Sequence, residues 1–347
     1  MIKACILRSE LEDSPRRWID SCQKLGVSYE VINLLQDDWF EKIEASDSNF
    51  YLACPSGIQE HLKRVYDEKL YVVETVLHKK VFPSYNEIII YENKRFFSYF
   101  AKAYEIPVPS THVFYIEEEA LSYIENVTFP LVAKTSIGAA GTGVNILHDS
   151  KQARQYIHIA FSEGIKRKSG PSLSGRSRTE LITKALKSPE FLFSKIKSYR
   201  HLNDFRQKGY VIFQEFIDHK FEWRVIKIGE SLFAHQKVKM GEMASGTKLK
   251  NYVKPPLELL DFVNDLCERL GFDIMACDIF ENNGSYIVNE MQTKWGQKYD
   301  YLMEIDGRRG RYVKRGCEWV FEEGDFNRNA SFDLKLKYIL TTIHNGE

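Results

Sequence analysis

Two neighbouring apolar segments in the last quarter of the chain are each interrupted by an acidic residue. Residues 273–280 and 286–291 are predicted to be strands, because apolar residues dominate both and turn formers separate them. Asp278 lies in the first segment and Glu290 in the second, with Gln292 two positions further on. Side chains alternate along a strand, so Glu290 and Gln292 share one face. The sequence therefore predicts a hairpin that carries polar oxygens in an otherwise apolar sheet.

The turn of this hairpin decides whether the two acids face each other. Asn283-Gly284 favours a two-residue type I′ turn, which would place Asp278 opposite Asn289 instead of Glu290. Directly opposed residues share a face, so a site with both acids needs an odd-length loop or a bulge. We therefore predict a three- or five-residue loop containing Gly284.

Asp278, Glu290 and Gln292 form a candidate metal site. Carboxylate and amide oxygens are hard donors, which suit Mg²⁺ that bridges a protein to nucleotide phosphates. A solvated sheet face is the alternative for any one of these residues. The joint interruption of two apolar strands favours the metal site.

A glycine-bearing loop follows a second apolar segment. Residues 129–133 are followed by Lys134, and the loop after Lys134 contains Gly138, Gly141 and Gly143. Small residues let backbone N–H groups approach an anion. The loop lacks the ending of a P-loop and precedes a strand, which excludes the P-loop and Rossmann motifs. A plain hairpin loop is the alternative, but a lysine beside the loop favours phosphate binding.

Composition excludes several classes of protein. The chain has 347 residues, of which 48 are Lys or Arg and 48 are Asp or Glu, so no net charge recommends nucleic acid or an anionic membrane as a partner. No apolar run is long enough to span a bilayer. Six scattered cysteines match no zinc spacing and are predicted to be reduced core thiols. The expected compartment is the cytoplasm.

The order of patterns divides the chain into three parts. Residues 1–92 alternate short apolar runs with amphipathic stretches, which predicts a small α/β domain. Residues 93–213 and 214–347 make up the other two parts, and the family resemblance of these residues implies that they are two α+β lobes, the second with a C-terminal extension.

Residues 164–208 interrupt the first lobe with twelve Lys or Arg against three acids, a local charge of +9. Residues 181–199 are predicted to form one or two short helices broken near Pro189. We expect a lid or an acceptor-binding insertion, and a solvated surface excursion is the alternative.

Taken in order, the motifs of residues 93–295 resemble the ATP-grasp superfamily. The helix that Asn93 and Lys94 open is similar to the segment of the first nucleotide lysine, and the segment ending at Lys134 is similar to that of the second. The glycine loop resembles the flexible loop that closes over phosphates. The remaining matches are the adenine-binding hinge (Gln214, Glu215, Phe216 and Ile217), the ribose-binding acid (Glu222) and the metal ligands (Asp278, Glu290 and Gln292, the last usually Asn).

The resemblance implies an ATP-grasp fold and the use of ATP and Mg²⁺. The sequence around these motifs is similar to that of the glutamate ligases of the ribosomal-protein type and of the D-alanine ligases. This similarity implies that ATP activates a carboxylate for attack by an amine. Arg224 and Lys237 are the catalytic candidates for stabilising negative charge. A structural salt bridge is the alternative for Arg224, and a solvated sheet edge is the alternative for Lys237 or for Lys239.

The substrates stay open at this stage. A small-molecule or glycan carboxylate and an amine acceptor both suit the motifs, but Thr293, Lys294 and Trp295 depart from the usual sequence after the metal ligands. A kinase that phosphorylates a hydroxyl is one alternative function. A polyanion-binding protein acting through residues 164–208 is another. The sequence does not define the oligomeric state.

Overall fold

The structure is a computed structural model in which helices and strands are mixed in an α+β arrangement, as predicted. It describes residues 2–9, 15–55, 57, 60–138, 141–166, 206–240, 243–244, 249–282, 284–296 and 299–345. No helix within these ranges is both long and apolar enough to cross a membrane.

The N-terminal part of the chain forms a parallel sheet. Its strands are β1 (Lys3–Arg8), β2 (Ser28–Asn33), β3 (Phe50–Cys54) and β4 (Val81–Phe82), in the order β2-β1-β3-β4. Its helices are α1 (Arg16–Leu25), α2 (Trp39–Ala45), α3 (Glu60–Tyr71), which continues into a π-helical turn (Val72–Val76), and α4 (Tyr85–Ile90). Ala4 and Ile6 pack into one core cluster, whereas Cys5 and Leu7 pack into another. Burial on both faces is typical of parallel strands, and these strands and helices agree with the α/β prediction for this part of the chain.

A second, antiparallel sheet follows. The helices of this region are α5 (Lys94–Ala103), α6 (Glu117–Tyr123) and α7 (Ser150–Phe161). The strands are β5 (Thr111–Phe114), β6 (Leu131–Lys134), β7 (Val144–Leu147), β8 (Ile165–Lys166), β9 (Arg206–Gln207) and β10 (Val211–Glu215), and the sheet order is β5-β10-β6-β7. β6 and β7 pair with Lys134 opposite Val144, so the glycine loop joins a hairpin.

The two ends of the basic insertion lie side by side. β8 pairs with β9 in an antiparallel ladder. Gln207 also accepts a hydrogen bond from the Ser136 backbone N–H at 2.7 Å, which ties the base of the insertion to the segment before the glycine loop. Residues 167–205, with the helices predicted over 181–199, lie outside the described residues.

The third sheet is the largest and carries the predicted metal ligands. Its strands are β11 (Phe221–Ile228), β12 (Ser231–Met240), β13 (Met243–Ala244), β14 (Lys250–Asn251), β15 (Ile274–Asn282), β16 (Ser285–Gln292), β17 (Glu304–Ile305), β18 (Arg308–Arg315) and β19 (Glu318–Glu323). The main path runs β16-β15-β11-β12-β18-β17. The helices are α8 (Leu257–Leu270), a 3₁₀ turn (Arg328–Ser331) and α9 (Phe332–Asn345).

The β15–β16 hairpin corrects the loop prediction. Its outermost pair is Asn282 with Ser285, so two residues separate the strands, and the predicted three- or five-residue loop is wrong. The register instead shifts by one at a β-bulge, where Val288 pairs with Ile279 but Glu290 pairs with Asp278. The extra residue, Asn289, lets the favoured short turn coexist with two facing acids.

Buried polar contacts join the N-terminal sheet to the third sheet. The Glu87 carboxylate accepts hydrogen bonds from the backbone N–H groups of Asp273 (3.0 Å) and Ile274 (2.7 Å). On the other side, α1 contacts α9 through Ser21, whose hydroxyl donates to Asp333 at 2.8 Å. These contacts fix the position of α9 relative to α1. The domain boundaries at residues 92 and 213 stay a prediction.

The cysteine prediction holds for five of the six residues. All six are free thiols, but Cys317 is exposed and is not a core residue as expected. It follows the β18 strand at a turn with Gly316, where no core is available to cover it.

Candidate active site

Three neighbouring strands bring Arg224, Asp278 and Glu290 into a row. Arg224 on β11 pairs with Asp278 on β15, and Asp278 pairs with Glu290 on β16. Directly opposite residues present their side chains on the same sheet face. The bulge at Asn289 is what brings Glu290 into this row.

Asp278 is the centre of a buried ion-pair network. The Arg224 guanidinium donates from Nε to Oδ1 and from a terminal nitrogen to Oδ2, both at 2.7 Å, and Lys237 Nζ donates to Oδ2 at 2.8 Å. Burial alone would raise the pKa of Asp278, but these two cations hold it well below its usual range. Asp278 is therefore ionised, and Arg224 forms the structural ion pair that the sequence left as its alternative.

A second set of contacts extends this network across the cleft. Lys237 also donates to Glu222 at 2.6 Å, and Asn289 donates to the other oxygen of Glu222 at 3.0 Å. The Asn289 carbonyl oxygen in turn accepts from Lys134 Nζ at 3.0 Å. Because Lys134 ends β6 of the second sheet, this contact joins the second and third sheets. Lys237 is buried in the network, so a solvated edge is excluded for it.

Lys94 meets the same strands from the start of α5. The Asn93 side chain caps this helix by accepting from the Phe96 backbone N–H, and Lys94 is the first helical residue. Its Nζ lies 3.2 Å from Glu290 Oε1. Burial lowers the pKa of the second lysine, Lys134, to about 8. Two lysines from one side of the cleft thus face the carboxylates of the other side.

The base of the glycine loop is held tightly by its neighbours. The Gly138 N–H donates to the buried Glu92 carboxylate at 2.9 Å, and the Thr135 N–H donates to the Gly143 carbonyl oxygen at 2.7 Å. A Cβ on Gly143 would overlap the Thr135 hydroxyl, and a Cβ on Gly138 would lie 2.8 Å from the Gly143 nitrogen. These two glycines are therefore needed for close packing at the loop base, whereas Gly141 lines the cleft.

The far end of the cleft is apolar. Val132, Ile146 and Phe280 line it beside the Phe216 and Ile217 segment. His219 adds a further ring, with its centroid 4.6 Å from that of Phe280 and its Nδ1 2.8 Å from the Ile217 carbonyl oxygen. The described lining of the cleft thus combines apolar side chains with charged ones.

The structure brings most of the predicted site residues to this single cleft. The predicted residues that line it are Lys94, Lys134, Gly138, Gly141, Gln214, Glu215, Phe216, Ile217, Glu222, Lys237, Asp278 and Glu290. Three others lie next to it without lining it: Gly143 at the loop base, and Arg224 and Gln292 beside Asp278.

The donor set fits Mg²⁺. Asp278 and Glu290 supply carboxylate oxygens on one face, and Mg²⁺ usually takes one or two protein carboxylates together with phosphates and water. Within the described residues no cluster of three or more His, Cys, Asp or Glu side chains could hold a metal, so the site needs oxygens from outside this set. In the amide orientation that satisfies both neighbours, the Gln292 oxygen accepts from Arg224 at 2.6 Å. Its role as a third ligand stays a prediction.

Sequence reasoning missed two polar residues of the cleft. Asn289 bridges Lys134 and Glu222, and its place beside Glu290 was the available signal. From the sequence alone, Asn289 is considered only as the residue that a two-residue turn would place opposite Asp278. His219 lies between the hinge segment and Glu222, and a lone histidine in a polar segment gave no pattern to follow.

Comparisons with known proteins bear on the fold of the chain. Residues 92–174 match the family described as phosphoribosylglycinamide synthetase, ATP-grasp (A) domain. Among solved structures, a RimK domain ATP-grasp protein from Sphaerobacter thermophilus is 16% identical, with 83% of this chain and 90% of that chain covered and a TM-score of 0.52. D-alanine–D-alanine ligase from Bacillus anthracis is 13% identical, with 99% and 98% covered and a TM-score of 0.54. A search of curated proteins gave no match.

The chain therefore has the ATP-grasp fold. Its motifs resemble those of the carboxylate-amine ligases of this superfamily, as the sequence indicates.

Proposed function

We propose that this protein is an Mg-ATP-dependent ligase that activates a carboxylate as an acyl phosphate and joins it to an amine. The observation that carries the proposal is the meeting of Lys94 and Lys134 with the facing acids Asp278 and Glu290 in one cleft. Such a cleft can neutralise a triphosphate from both sides. The carboxylate is that of a small molecule or a glycan.

Each part of the cleft has a proposed task. The apolar end and the Gln214–Ile217 segment hold adenine, and Glu222 accepts from the ribose hydroxyls. Lys94 and Lys134 bind phosphate oxygens. Asp278 and Glu290, with Gln292, hold Mg²⁺, which when bound neutralises phosphate charge. Arg224 and Lys237 keep Asp278 ionised and in place.

The proposed reaction has two steps. A carboxylate oxygen attacks the γ-phosphorus, the bond to ADP breaks, and an acyl phosphate forms. The amine nitrogen then attacks the acyl carbon, phosphate leaves, and the nitrogen loses a proton. Lys94 and Lys134 stabilise the negative charge that moves to the ADP oxygens in the first step.

The test is to incubate the protein with Mg-ATP, hydroxylamine and a panel of carboxylic acids, and to measure ADP, free phosphate and hydroxamate. We expect all three products with at least one acid. Lys134→Met should lower turnover by about 10²–10³-fold, because it removes a preorganised cation. Lys151→Met, at an exposed position of α7, is the matched control and should change nothing.

The alternatives give different products. A kinase would form ADP without free phosphate or hydroxamate, and that result would contradict the ligase. Undiminished turnover in Lys134→Met would contradict the assignment of the phosphate site.

A further inference from the structure

A second cavity lies where α1, the end of β3, α9 and the segment after β16 meet. Its apolar walls include Trp18, Trp295 and Phe332, and Cys54 borders it at the end of β3. Thr293 and Lys335 supply polar atoms. The cavity does not share a described residue with the nucleotide cleft.

Lys335 is a buried cation that lines this cavity. The residue is 4% exposed, and among the described residues no acceptor forms a hydrogen bond or an ion pair with its ammonium group. Nζ lies instead over two rings, 4.0 Å from the Trp295 centroid and 4.9 Å from the Phe332 centroid. Cation–π contacts compensate only part of the lost hydration of a charge.

The acid with the largest electrostatic effect on Lys335 does not form an ion pair with it. Glu87 attracts Lys335 electrostatically, but its two oxygens already accept from the backbone N–H groups of Ser84, Asp273 and Ile274. Burial lowers the pKa of Lys335 to about 7. An anion beside the ammonium group would favour the charged form.

Two further donors of the same cavity are buried without a partner among the described residues. They are the Thr293 hydroxyl and the Trp295 indole N–H. Arg17 and Lys294 add positive charge at the exposed rim, and no Asp or Glu is found among the described residues that line the cavity. The unpaired ammonium group of Lys335, the cations at the rim and the lack of acids among the described lining residues point to an anionic ligand.

The cavity is also close to the metal end of the cleft. Thr293, Lys294 and Trp295 directly follow Gln292 in the chain. Three residues span at most about 11 Å, so an acid in the cavity lies near the site where phosphate would be transferred.

We propose that this cavity binds an organic acid, with its anionic group on Lys335 and its apolar part against Trp18, Trp295 and Phe332. The proposal rests on the proposed function only in naming this acid as a substrate of the ligase. Binding itself does not require that function.

The experiment uses 8-anilinonaphthalene-1-sulfonate, an anion with an aromatic body, as a fluorescent probe of the full chain. We expect Lys335→Met to weaken probe binding by about ten-fold or more, because it removes a charge-assisted contact. Lys337→Met, at an exposed position of the same helix, should leave binding unchanged. In the wild type, phenylacetate should displace the probe and phenylacetamide, its uncharged counterpart, should not.

Equal probe affinity in Lys335→Met and the wild type would overturn the proposal. So would equal displacement by phenylacetate and phenylacetamide, a comparison that does not depend on any variant.

Binding of a non-hydrolysable ATP analogue separates this proposal from the ligase. If the protein binds the nucleotide and forms hydroxamate but does not bind the acid in the cavity, the cavity proposal alone is contradicted. Acid binding without any ADP or hydroxamate would sink the ligase alone.

Discussion

The cleft of the candidate active site and the cavity beside α9 each contain a buried lysine, and their surroundings shift the pKa values of these two lysines in opposite directions. Burial would lower the pKa of Lys237, but Asp278 and Glu222 outweigh it and the pKa is raised. Lys335 has no such acid in hydrogen-bond contact among the described residues, and burial lowers its pKa to about 7. The cleft contains the counterions of its own cations. In the cavity, the proposed ligand supplies the counterion of Lys335.

The comparison predicts that removing charge from the cleft destabilises the protein most. Asp278→Asn keeps the shape but leaves Arg224 and Lys237 without their shared counterion, and breaking a buried pair costs about 3–5 kcal/mol. Urea denaturation measures the loss. Asp261→Asn, which removes a half-exposed partner of Lys314, should cost less than about 1 kcal/mol. Equal losses in the two variants would mean that the cleft charges are not coupled.

Removing the charge of Lys335 from the cavity should increase the stability of the protein, whereas removing charge from the cleft should decrease it. Lys335→Met replaces a buried, unpaired ammonium group by an apolar chain of similar length, which should stabilise the protein by about 1–4 kcal/mol at pH 6. The same urea experiment gives the change, with Lys337→Met as the exposed control. A destabilised Lys335→Met protein would show that the ring contacts outweigh the burial of the charge.

The gap between Lys335→Met and the wild type should shrink as the pH rises. At pH 6 Lys335 is charged in both the folded and unfolded states, so the wild type bears the full cost of burial. Between about pH 7, its folded pKa, and 10.5, its ordinary value, the folded protein loses the proton first. Wild-type stability therefore rises with pH, and we expect the gap at pH 9.5 to be less than about half of that at pH 6. A gap independent of pH would remove the charge from the explanation.

The smallest effect is expected where a neutral residue joins the charged groups. Asn289→Ala removes the bridge between Lys134 and Glu222 and should cost about 1 kcal/mol of stability, the usual net worth of a hydrogen bond. Affinity for a non-hydrolysable ATP analogue should fall a few-fold. Asn251→Ala, at an exposed position of β14, serves as the control. A cost as large as that of Asp278→Asn would make Asn289 part of the ion-pair network itself.

Most of the cleft could be predicted because its residues lie in short segments with recognisable order. Lys134 ends an apolar strand before a glycine loop, and Asp278 and Glu290 interrupt apolar strands. These local patterns are enough to identify the fold and to place both groups at one cleft. The position of the bulge was not predictable from the turn, because one extra residue can be accommodated anywhere along the hairpin.

The cavity was not predictable for a different reason. Trp18, Trp295 and Lys335 come from three distant parts of the chain, and each is ordinary in its own segment. Lys335 gives no signal of its own in the sequence, and it is buried by the packing of α9 against α1 and against Trp295. Which cations have counterions is a property of the assembled fold.

The bulge at Asn289 also frees the tip of its hairpin from the chemistry at its base. Asp278 faces Glu290 because the register shifts between the pair Ile279–Val288 and the pair Asp278–Glu290. This shift lies several residues away from the last pair of the hairpin, Asn282 with Ser285. A peptide of any length grafted between Asn282 and Ser285 leaves that count unchanged. A fluorophore or an affinity tag can therefore be attached at the tip of the hairpin without changing how the two acids face each other.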